Sequence, residues 1–336
     1  MVRGAATSLA ALALLLTSRF RIRSAEPVLY LMVATVIVVA IQLIPVPPGL
    51  WQALPGRDAF AQATGGTAVW RPVTLVPSAT MNAAASLLVP MAVLLLALGL
   101  SPEERNRLPA VMLALVAASM LIGLLQVSGT AIDNPFINDI AGQVAGSFAN
   151  RNHFALFLAL GCAVAPVWAF SDTHRAKWRG PLALALAMLF LLMILASGSR
   201  TGLLLGPLGL GLGLAVSNHA IRRALIRFPR WVLPAVVVAV LAVGLTAGVL
   251  SVTLGRAVAI DRVFTKAIDS DMRTLGQPVI VEMIEHYFPV GTGFGSFDSS
   301  FRMHEPYALL KPTYFNHAHN DFLEIPSTAA WRPRYF

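Results

Sequence analysis

"PAVMLALVAASMLIGLLQV", residues Pro109–Val127, is a run of 19 residues without a charged side chain. A helix needs about 20 predominantly apolar residues to cross a bilayer, so this run predicts a membrane span. Further segments of similar character lie at Val28–Ile44, Met81–Leu100, His153–Phe170, Pro181–Ala196, Leu203–Val216 and Trp231–Val252. The sequence therefore predicts an all-α fold, a polytopic transmembrane helical bundle.

The composition of the 336 residues leads to the same fold class. Hydrophobic side chains make up 57% and charged side chains 12%, with a mean hydropathy of +0.71. Soluble domains carry roughly 25% charged residues. The net charge of +9 is explained by basic cytoplasmic loops, so no nucleic acid partner is predicted. The single cysteine, Cys162, lies in an apolar run and is interpreted as a packing residue.

The first apolar stretch, Gly4–Thr17, is ambiguous. Its short apolar run after Arg3 resembles a signal peptide, but Arg19, Arg21 and Arg23 follow it and argue against export of that flank. We interpret the stretch as a short first helix or an interfacial anchor, which gives about seven or eight spans.

The predicted span Leu203–Val216 is short and contains the glycine-rich sequence "GPLGLGLGLAV". Small residues allow the backbones of neighbouring membrane helices to approach closely. We therefore expect this helix to pack tightly against a neighbour.

The distribution of lysine and arginine predicts the orientation of the bundle. One set of alternating loops carries twelve basic residues, whereas the other set carries four. Cytoplasmic loops are enriched in these residues, so the first set is assigned to the cytoplasm. The outward set then carries Arg57, Arg71, Arg151 and Arg200.

This orientation divides the chain into three predicted parts. Residues 1–252 form the N-terminal transmembrane helices, residues 253–325 form a large, partly helical outward loop, and residues 326–336 form an atypical tail. Apolar residues at helical spacing in the loop predict an amphipathic helix, with Glu282 and Glu285 on its polar side. Its apolar stripe is Ile280, Met283, Ile284 and Tyr287.

A glycine-rich stretch, "GTGFGSF" (residues 291–297), follows this helix. Nucleotide-binding loops need a preceding strand and a following helix within a soluble βαβ unit. That context is missing in an outward loop, so we interpret the stretch as a tight turn and not as a nucleotide site.

Two polar stretches lie at the outward ends of predicted spans. Arg200 stands between two apolar runs in "LASGSRTGLLLG", and an outward arginine at this place favours a functional role over a side chain that only reaches the interface. Asn150, Arg151, Asn152 and His153 form a polar cluster before another span. Asparagine at such a place is either a helix cap or part of a site, and the residues leave both open.

A third polar stretch, "HAHNDFLEI", begins at His317 near the end of the outward loop. Its candidate metal ligands are placed poorly, because His-x-His spacing puts the two rings on opposite sides of a helix, and no metal is predicted. These candidates are His317, His319, Asp321 and Glu324. A neutral histidine can instead act as a general base toward a hydroxyl group. Arginine binds phosphate in a bidentate fork, so outward arginines with a histidine suggest group transfer from a phosphorylated lipid carrier.

With these motifs, the sequence resembles the O-antigen ligase and polysaccharide polymerase family of bacterial inner-membrane proteins. Four stretches carry the resemblance and follow one another in the family's order. They are "GSFANRNHFALFL", "SGSRTGLLLG", "RTLGQPVIVEMIEHYFPVGTGFGSF" and "HAHNDFLEI", which together extend from about residue 146 to 325.

The resemblance implies a metal-independent glycosyltransferase with no cofactor and with a periplasmic active site. Its donor would be an undecaprenyl-diphosphate-linked glycan in the lipid bilayer, and its acceptor a lipid A–core or a growing glycan. The implied diphosphate-binding residues are Arg200, Arg273 and, with less direct support, Arg151. The implied activating residue is His319, with His317 as the second choice, and the supporting residues are Asn320 and Asn152.

Several functional alternatives stay open. The motifs do not encode the acceptor, so ligase, polymerase and protein O-glycosyltransferase are not separated. A transporter of lipid-linked glycans is the main rival from another class, but it favours polar residues near the middle of the spans. A purely structural membrane partner explains the apolar helices but not Arg200.

After Ile325 the sequence departs from the family. The stretch "PSTAAWRPRYF" is polar, contains proline and is unlike a helix, whereas the family continues into further spans. We expect a truncated or frameshifted chain in which His319 is poorly held. Transfer would then be impaired, because a displacement of about 1 Å can lower a rate about 100-fold.

Overall fold

A computed structural model describes residues 2–16, 25–63, 65, 68–128, 144–172, 174–225, 272–310, 317–318 and 321–329 of the chain. Most of these residues are helical, and the chain is a polytopic helical membrane protein, as predicted. It divides into two compact units. One unit is Met1–Leu100 together with Ala267–Phe336, and the other is Ser101–Lys266. The sequence-based division at residues 252 and 325 stays a prediction.

The elements of secondary structure are numbered along the described residues. The helices are α1 (Val2–Leu16), α2 (Glu26–Leu43), α3 (Pro48–Gln52), α4 (Asp58–Ala63), α5 (Pro77–Ser86), α6 (Leu88–Gly99), α7 (Pro102–Arg105), α8 (Leu108–Val127), α9 (Arg151–Phe170), α10 (Ala176–Ser197), α11 (Arg200–Leu225), α12 (Met272–Tyr287), α13 (Phe297–His304) and α14 (Asp321–Ala329). A short 3-10 turn covers Tyr307–Leu309, and the strands β1 (Pro45–Val46) and β2 (Arg71–Pro72) pair antiparallel.

Within the described residues, six helical segments are long and apolar enough to cross a membrane. Each overlaps a segment predicted from the sequence, and the predicted span Trp231–Val252 lies outside the described residues. The six are Glu26–Leu43, Pro77–Gly99, Pro102–Val127, Arg151–Phe170, Ala176–Ser197 and Arg200–Ala224. The ambiguous first stretch is helical in α1, as predicted, but at 15 residues it is shorter than these spans.

The spans leave large apolar side chains on their surfaces. Leu204 and Val216 of α11 are each 75% exposed, and Val93 of α6 is 62% exposed. Large exposed apolar side chains occur on all six of these segments, which suits contact with lipid. These surfaces therefore agree with a membrane environment.

The core of the second unit is built around α9, which packs against α8, α10 and α11. Phe154, Leu158 and Phe190 are fully buried in this core. Cys162 is also fully buried there, which confirms its interpretation as a packing residue.

The sequence-based estimate of α11 as a short span was wrong. The helix runs for 26 residues and begins at Arg200, so its glycines lower the apolar character of the segment without ending the helix. The predicted tight packing is confirmed. A Cβ atom at Gly209 would lie 2.5 Å from the carbonyl oxygen of Ala159, and one at Gly213 would clash with the carbonyl of Ala163.

The amphipathic helix of the predicted loop is confirmed in α12. Ile280, Met283 and Tyr287 are buried on one side, while Glu282 and Glu285 are exposed on the other. The buried side packs with α13 and with Leu323 of α14, so the helix has a core of its own within the first unit.

The expectation that the chain is unlike a helix after Ile325 is wrong for its first four residues. α14 continues through Pro326 and ends at Ala329. Proline lacks an N–H group, but the hydroxyls of Ser327 and Thr328 each donate to the carbonyl oxygen of Glu324 at 2.8 Å. Both bonds lie within the last turns of the helix and do not replace the donor that proline lacks, whose helical acceptor would be the carbonyl of residue 322.

Replacing Gly213 by alanine should destabilise the second unit. The new methyl group would force α11 away from the backbone of α9, at about 1–3 kcal/mol, as for overpacking of a core. Thermal unfolding of the purified protein in detergent should shift down by several degrees. Gly211→Ala is the matched control, because a Cβ atom there meets nothing within 4 Å. Equal shifts for both variants would contradict the predicted role of the helix contact.

Candidate active site

The N-terminus of α9 is capped by the asparagine cluster noted in the sequence. Asn150 has an extended backbone, and its Oδ1 accepts a hydrogen bond from the backbone N–H of Asn152 at 2.8 Å. This settles Asn150 as a helix cap. Arg151 is therefore the first residue of the helix, and its side chain is half-buried.

The N-terminus of α11 follows α10 after only two residues. Gly198 ends α10 with a left-handed backbone (φ 69°), which glycine adopts without steric cost. Ser199 then accepts a hydrogen bond from the backbone N–H of Gly202 at 3.1 Å through its Oγ. Arg200 is the first residue of α11, and the sharp turn places it there.

These two helix N-termini are joined directly. The Oγ of Ser199, which is 1% exposed, donates a hydrogen bond to Oδ1 of Asn152 at 2.8 Å. This hydrogen bond thus links "SGSRTGLLLG" with "GSFANRNHFALFL", two of the motifs that carry the family resemblance. We call Arg151, Asn152, Ser199 and Arg200 the arginine cluster.

The arginine cluster combines two features that attract anions, namely helix N-termini and arginine side chains. The N-terminal end of a helix carries unpaired N–H groups and a partial positive charge, and both attract anions. Neither α9 nor α11 has an acidic residue in its first turn, and each begins with an arginine instead. Arginine at this position opposes the helix dipole by about 0.3–1 kcal/mol. Such a cost is expected where the charge serves binding.

The histidine motif lies in the other unit and is described in part. His317 and Ala318 are described, His319 and Asn320 lie outside the described residues, and α14 begins directly after them. The carboxylate of Glu324 reaches back along the chain. Its Oε2 accepts the backbone N–H of Ala318 at 2.9 Å, and its Oε1 lies 2.9 Å from Nδ1 of His317.

The glycine-rich turn that follows α12 holds the C-terminal end of α14. Backbone N–H groups of Thr292 and Gly293 donate to the carbonyl oxygens of Ser327 and Thr328, each at 3.1 Å. Gly291, Gly293 and Gly295 all have positive φ, so the predicted tight turn is confirmed. The amides of residues 292 and 293 are bonded to protein carbonyls, which argues against a phosphate-binding role for the turn.

Gln42, near the end of α2, adds two hydrogen bonds to these contacts between the glycine-rich turn and α14. Its Oε1 accepts the backbone N–H of Phe294 at 2.8 Å, and its Nε2 donates to the carbonyl oxygen of Thr328 at 3.0 Å. The side chain is buried and uses both ends of its amide. Sequence reasoning missed Gln42, although an amide side chain within the apolar run Val28–Ile44 was a visible signal.

Arg57 is a second residue whose role the sequence did not reveal. It is fully buried, and its Nη2 donates to the carbonyl oxygens of Val73 at 2.8 Å and Gly291 at 3.1 Å. The rings of Trp51 and Tyr287 each lie 5.8 Å from the guanidinium carbon. Burial lowers the pKa of Arg57 to about 10, and the charge interaction with Tyr287 partly opposes this. Arg57 therefore also holds the glycine-rich turn, through the carbonyl oxygen of Gly291.

Arg273, the other arginine predicted to bind the diphosphate, is only partly described. Arg273 is the second residue of α12, but its side chain lies outside the described residues. No group of three or more His, Cys, Asp or Glu side chains among the described residues could hold a metal ion. Since His319 is outside that set, metal independence stays a prediction.

The fold and the motifs define a polytopic helical membrane protein with separate cationic and histidine-containing motifs. A family model described as O-antigen ligase matches residues 184–328. Residues 184–328 are thus similar to an O-antigen ligase domain, which supports the family predicted from the motifs. The match includes Arg200, Arg273 and His319, while the motif at Arg151 precedes it. The domain indicates a glycosyltransferase of the ligase and polymerase type.

No curated protein and no solved structure gives a significant match to the chain.

Gly293→Ala should loosen the glycine-rich turn. Gly293 has a φ of 103°, and a Cβ atom there would clash with the buried hydroxyl of Thr74. An L-residue with left-handed backbone costs about 1–2 kcal/mol before any clash, so thermal unfolding should shift down by several degrees. Gly49→Ala is the control in the same unit, because its Cβ atom would meet nothing within 4 Å. An unchanged unfolding midpoint for Gly293→Ala would contradict the described turn.

Proposed function

We propose that this protein moves a glycan from an undecaprenyl-diphosphate carrier to an acceptor hydroxyl, at the periplasmic face of the bacterial inner membrane. The observation that carries the proposal is the Ser199–Asn152 hydrogen bond, which joins two helix N-termini that both begin with arginine. The O-antigen ligase domain at residues 184–328 supports the same class of reaction. The excess of basic residues in the alternate loops supports the proposed sidedness.

In this proposal, Arg151 and Arg200 bind the diphosphate of the donor. Guanidinium groups match phosphate oxygens in bidentate geometry, and the two helix N-termini add partial positive charge. Negative charge develops on the diphosphate as the glycosidic bond breaks, so its stabilisation lowers the barrier. Asn152 supports the site by holding Ser199 at the start of α11. Arg273 is proposed as a third diphosphate ligand on the family resemblance.

The acceptor hydroxyl is proposed to be activated by His319. The histidine takes the hydroxyl proton while the acceptor oxygen forms the new bond to the sugar and the diphosphate leaves with the electron pair of the old bond. His317 is the second choice, because the family's histidine directly precedes the asparagine, as His319 does and His317 does not. Asn320 is proposed to support this end of the site. The reaction as written needs no cofactor or metal.

The acceptor is proposed to be a lipid A–core or a growing glycan. The first would make the protein a ligase, and the second a polymerase. Both reactions use the same donor and the same proton transfer. The arginine cluster and the histidine motif therefore support the common step rather than one acceptor.

Replacing Arg200 should weaken donor binding. Loss of a charge-assisted hydrogen bond costs about 1.5–3 kcal/mol, so the Kd of the purified 336-residue protein for undecaprenyl diphosphate should rise about 10–100-fold in Arg200→Ala. Arg200→Lys should recover only part of the affinity, because an ammonium group cannot bind two oxygens as a fork. Arg222→Ala is the control, since Arg222 is exposed near the other end of α11. Equal affinities for all variants would overturn the assignment of the diphosphate site.

Replacing His319 should stop transfer without releasing the donor. General base catalysis contributes about 10²–10⁴-fold, so His319→Ala should lose transfer to that extent and keep its affinity for undecaprenyl diphosphate. His219→Ala, an exposed histidine on α11, should behave as the wild type.

The same variants separate enzyme from transporter. Cells with His319→Ala should accumulate the lipid-linked donor, whereas a carrier would continue to move it. A large loss in His317→Ala with normal transfer in His319→Ala would reassign the base to His317.

A further inference from the structure

The junction between α9 and α10 brings two tryptophans and an arginine together. The guanidinium carbon of Arg179 lies 4.9 Å from the ring centroid of Trp168 and 5.5 Å from that of Trp178. The two rings meet edge to face, with their centroids 5.7 Å apart. Trp168 is 9% exposed, whereas Trp178 is 54% exposed. We call these three residues the tryptophan cluster.

One nitrogen of Arg179 stabilises the end of α9. Its Nη1 donates to the carbonyl oxygen of Trp168 at 3.3 Å and to Oγ of Ser171 at 3.4 Å. A cation at the C-terminal end of a helix is favourable, so these bonds explain part of the position of the side chain. They do not use the Nε of Arg179. Helix capping therefore accounts for only one edge of the guanidinium group.

Two buried donors of the tryptophan cluster face no acceptor. Within the described part of the chain, neither Nε of Arg179 nor Nε1 of Trp168 has a hydrogen-bond partner, and both atoms are buried. The ring contacts supply no acceptor oxygen. Buried donors in proteins are nearly always hydrogen-bonded, because an unpaired one costs free energy. The two N–H groups therefore favour a ligand that carries acceptor oxygens.

The charge around the tryptophan cluster favours an anionic ligand. Residues 171–180, "SDTHRAKWRG", contain Arg175, Lys177 and Arg179 but only one carboxylate, Asp172. That carboxylate is already engaged, since its Oδ2 lies 3.3 Å from Nε of Arg175 and its Oδ1 accepts two backbone N–H groups. Guanidinium groups match the oxygens of phosphate. A phosphate group without a neighbouring amine is thus the ligand chemistry that fits.

An apolar stripe on α10 continues from the tryptophan cluster. Trp178, Leu182, Ala185 and Leu189 follow one another at intervals of three or four residues, so they share one side of the helix. All four are exposed. At 1.5 Å per residue the stripe is about 16 Å long, close to half of the about 30 Å hydrocarbon core of a bilayer. Its length therefore suits the acyl chains of one leaflet and distinguishes a lipid from a free phosphate.

We propose that the tryptophan cluster binds the phosphate of an anionic phospholipid whose acyl chains lie along this stripe. Arg179 and the N–H group of Trp168 donate to the phosphate oxygens, while Arg175 and Lys177 add positive charge around the headgroup. Trp178 is the exposed member, and its ring turns aside toward the membrane interface to admit the phosphate. The excess of basic residues places this junction on the predicted cytoplasmic side, where basic residues attract anionic headgroups. The inference goes beyond the proposed transfer reaction and does not rest on it.

Lipid binding to the purified 336-residue protein tests the proposal. Native mass spectrometry should show dioleoylphosphatidylglycerol bound at least about 10-fold more tightly than dioleoylphosphatidylcholine, because several basic side chains surround one headgroup. Inorganic phosphate should not displace the bound lipid, since it has no acyl chain for the stripe. Equal affinity for the two lipids would overturn the proposal. Displacement by inorganic phosphate would assign the cluster to a free anion and overturn the lipid as its occupant.

Two variants test the donors themselves. Trp168→Phe keeps an aromatic ring next to Arg179 but removes the N–H group, so its affinity for phosphatidylglycerol should fall about 3–10-fold. Arg179→Gln removes a charged donor and should lower the affinity about 10–100-fold. Arg222→Gln is the matched control, because it removes an exposed arginine near the end of α11 on the same predicted side. It should bind the lipid as the wild type does.

The control separates a defined site from diffuse surface charge. If Arg222→Gln loses as much affinity as Arg179→Gln, general attraction between basic loops and anionic lipid explains the binding, and the proposal is wrong. Unchanged affinity in Trp168→Phe would also contradict it, because a tryptophan that serves only packing has no need of its N–H group. Thermal unfolding of each variant shows that the compared proteins are folded, and Trp168→Phe still decides the outcome if Arg179→Gln unfolds.

Discussion

The amide side chain of Gln42 is the contact on which the order of the first unit depends. It lies near the end of an apolar span and bonds to two segments that are 252 and 286 residues away in sequence. The backbone carbonyl oxygen of Gln42 also accepts the backbone N–H of Thr74 at 2.9 Å. A buried amide that loses such partners costs about 1–3 kcal/mol. The contact therefore holds the glycine-rich turn and α14 at one end of α2.

In this anchoring, the amides of Thr292, Gly293 and Phe294 are bonded to protein oxygens, which argues against an anion site in the glycine-rich turn. The last carbonyl groups of any helix lack intrahelical donors, and the turn supplies donors to two of them in α14. Positive φ at Gly293 directs its amide to Thr328, while Ser296 donates from its hydroxyl to the carbonyl oxygen of Gly293. Arg57 meets the same turn through the carbonyl of Gly291. Helix N-termini instead have donors as their unpaired groups, and the proposed function places the diphosphate there.

The sequence predicted the membrane spans well, but it did not reveal the contacts made by Gln42, Arg57 and Glu324. Spans follow from local patterns, whereas these contacts do not. Apolar runs of the right length are local signals, and the side of α12 that is buried follows from its own periodicity. The start of α11 at Arg200 was missed because glycine and proline weaken the apolar pattern without breaking the helix. Gln42, Arg57 and Glu324 were missed in their roles because each acts through tertiary or turn contacts. Helix formation through Pro326 was missed because proline usually ends a helix, whereas the bonds that hold this one at Ser327 and Thr328 come from a distant turn.

The arginine cluster lowers the stability of the two helices that begin in it. Acidic residues would stabilise the first turns of α9 and α11, and neither helix has one there. Arginine in the first position places a full positive charge at the positive end of each dipole. The Ser199–Asn152 hydrogen bond then holds two such ends together, although like charges repel. A bound anion with two negatively charged groups would relieve both costs at once. Under the proposed function, the diphosphate of the donor would supply these negatively charged groups.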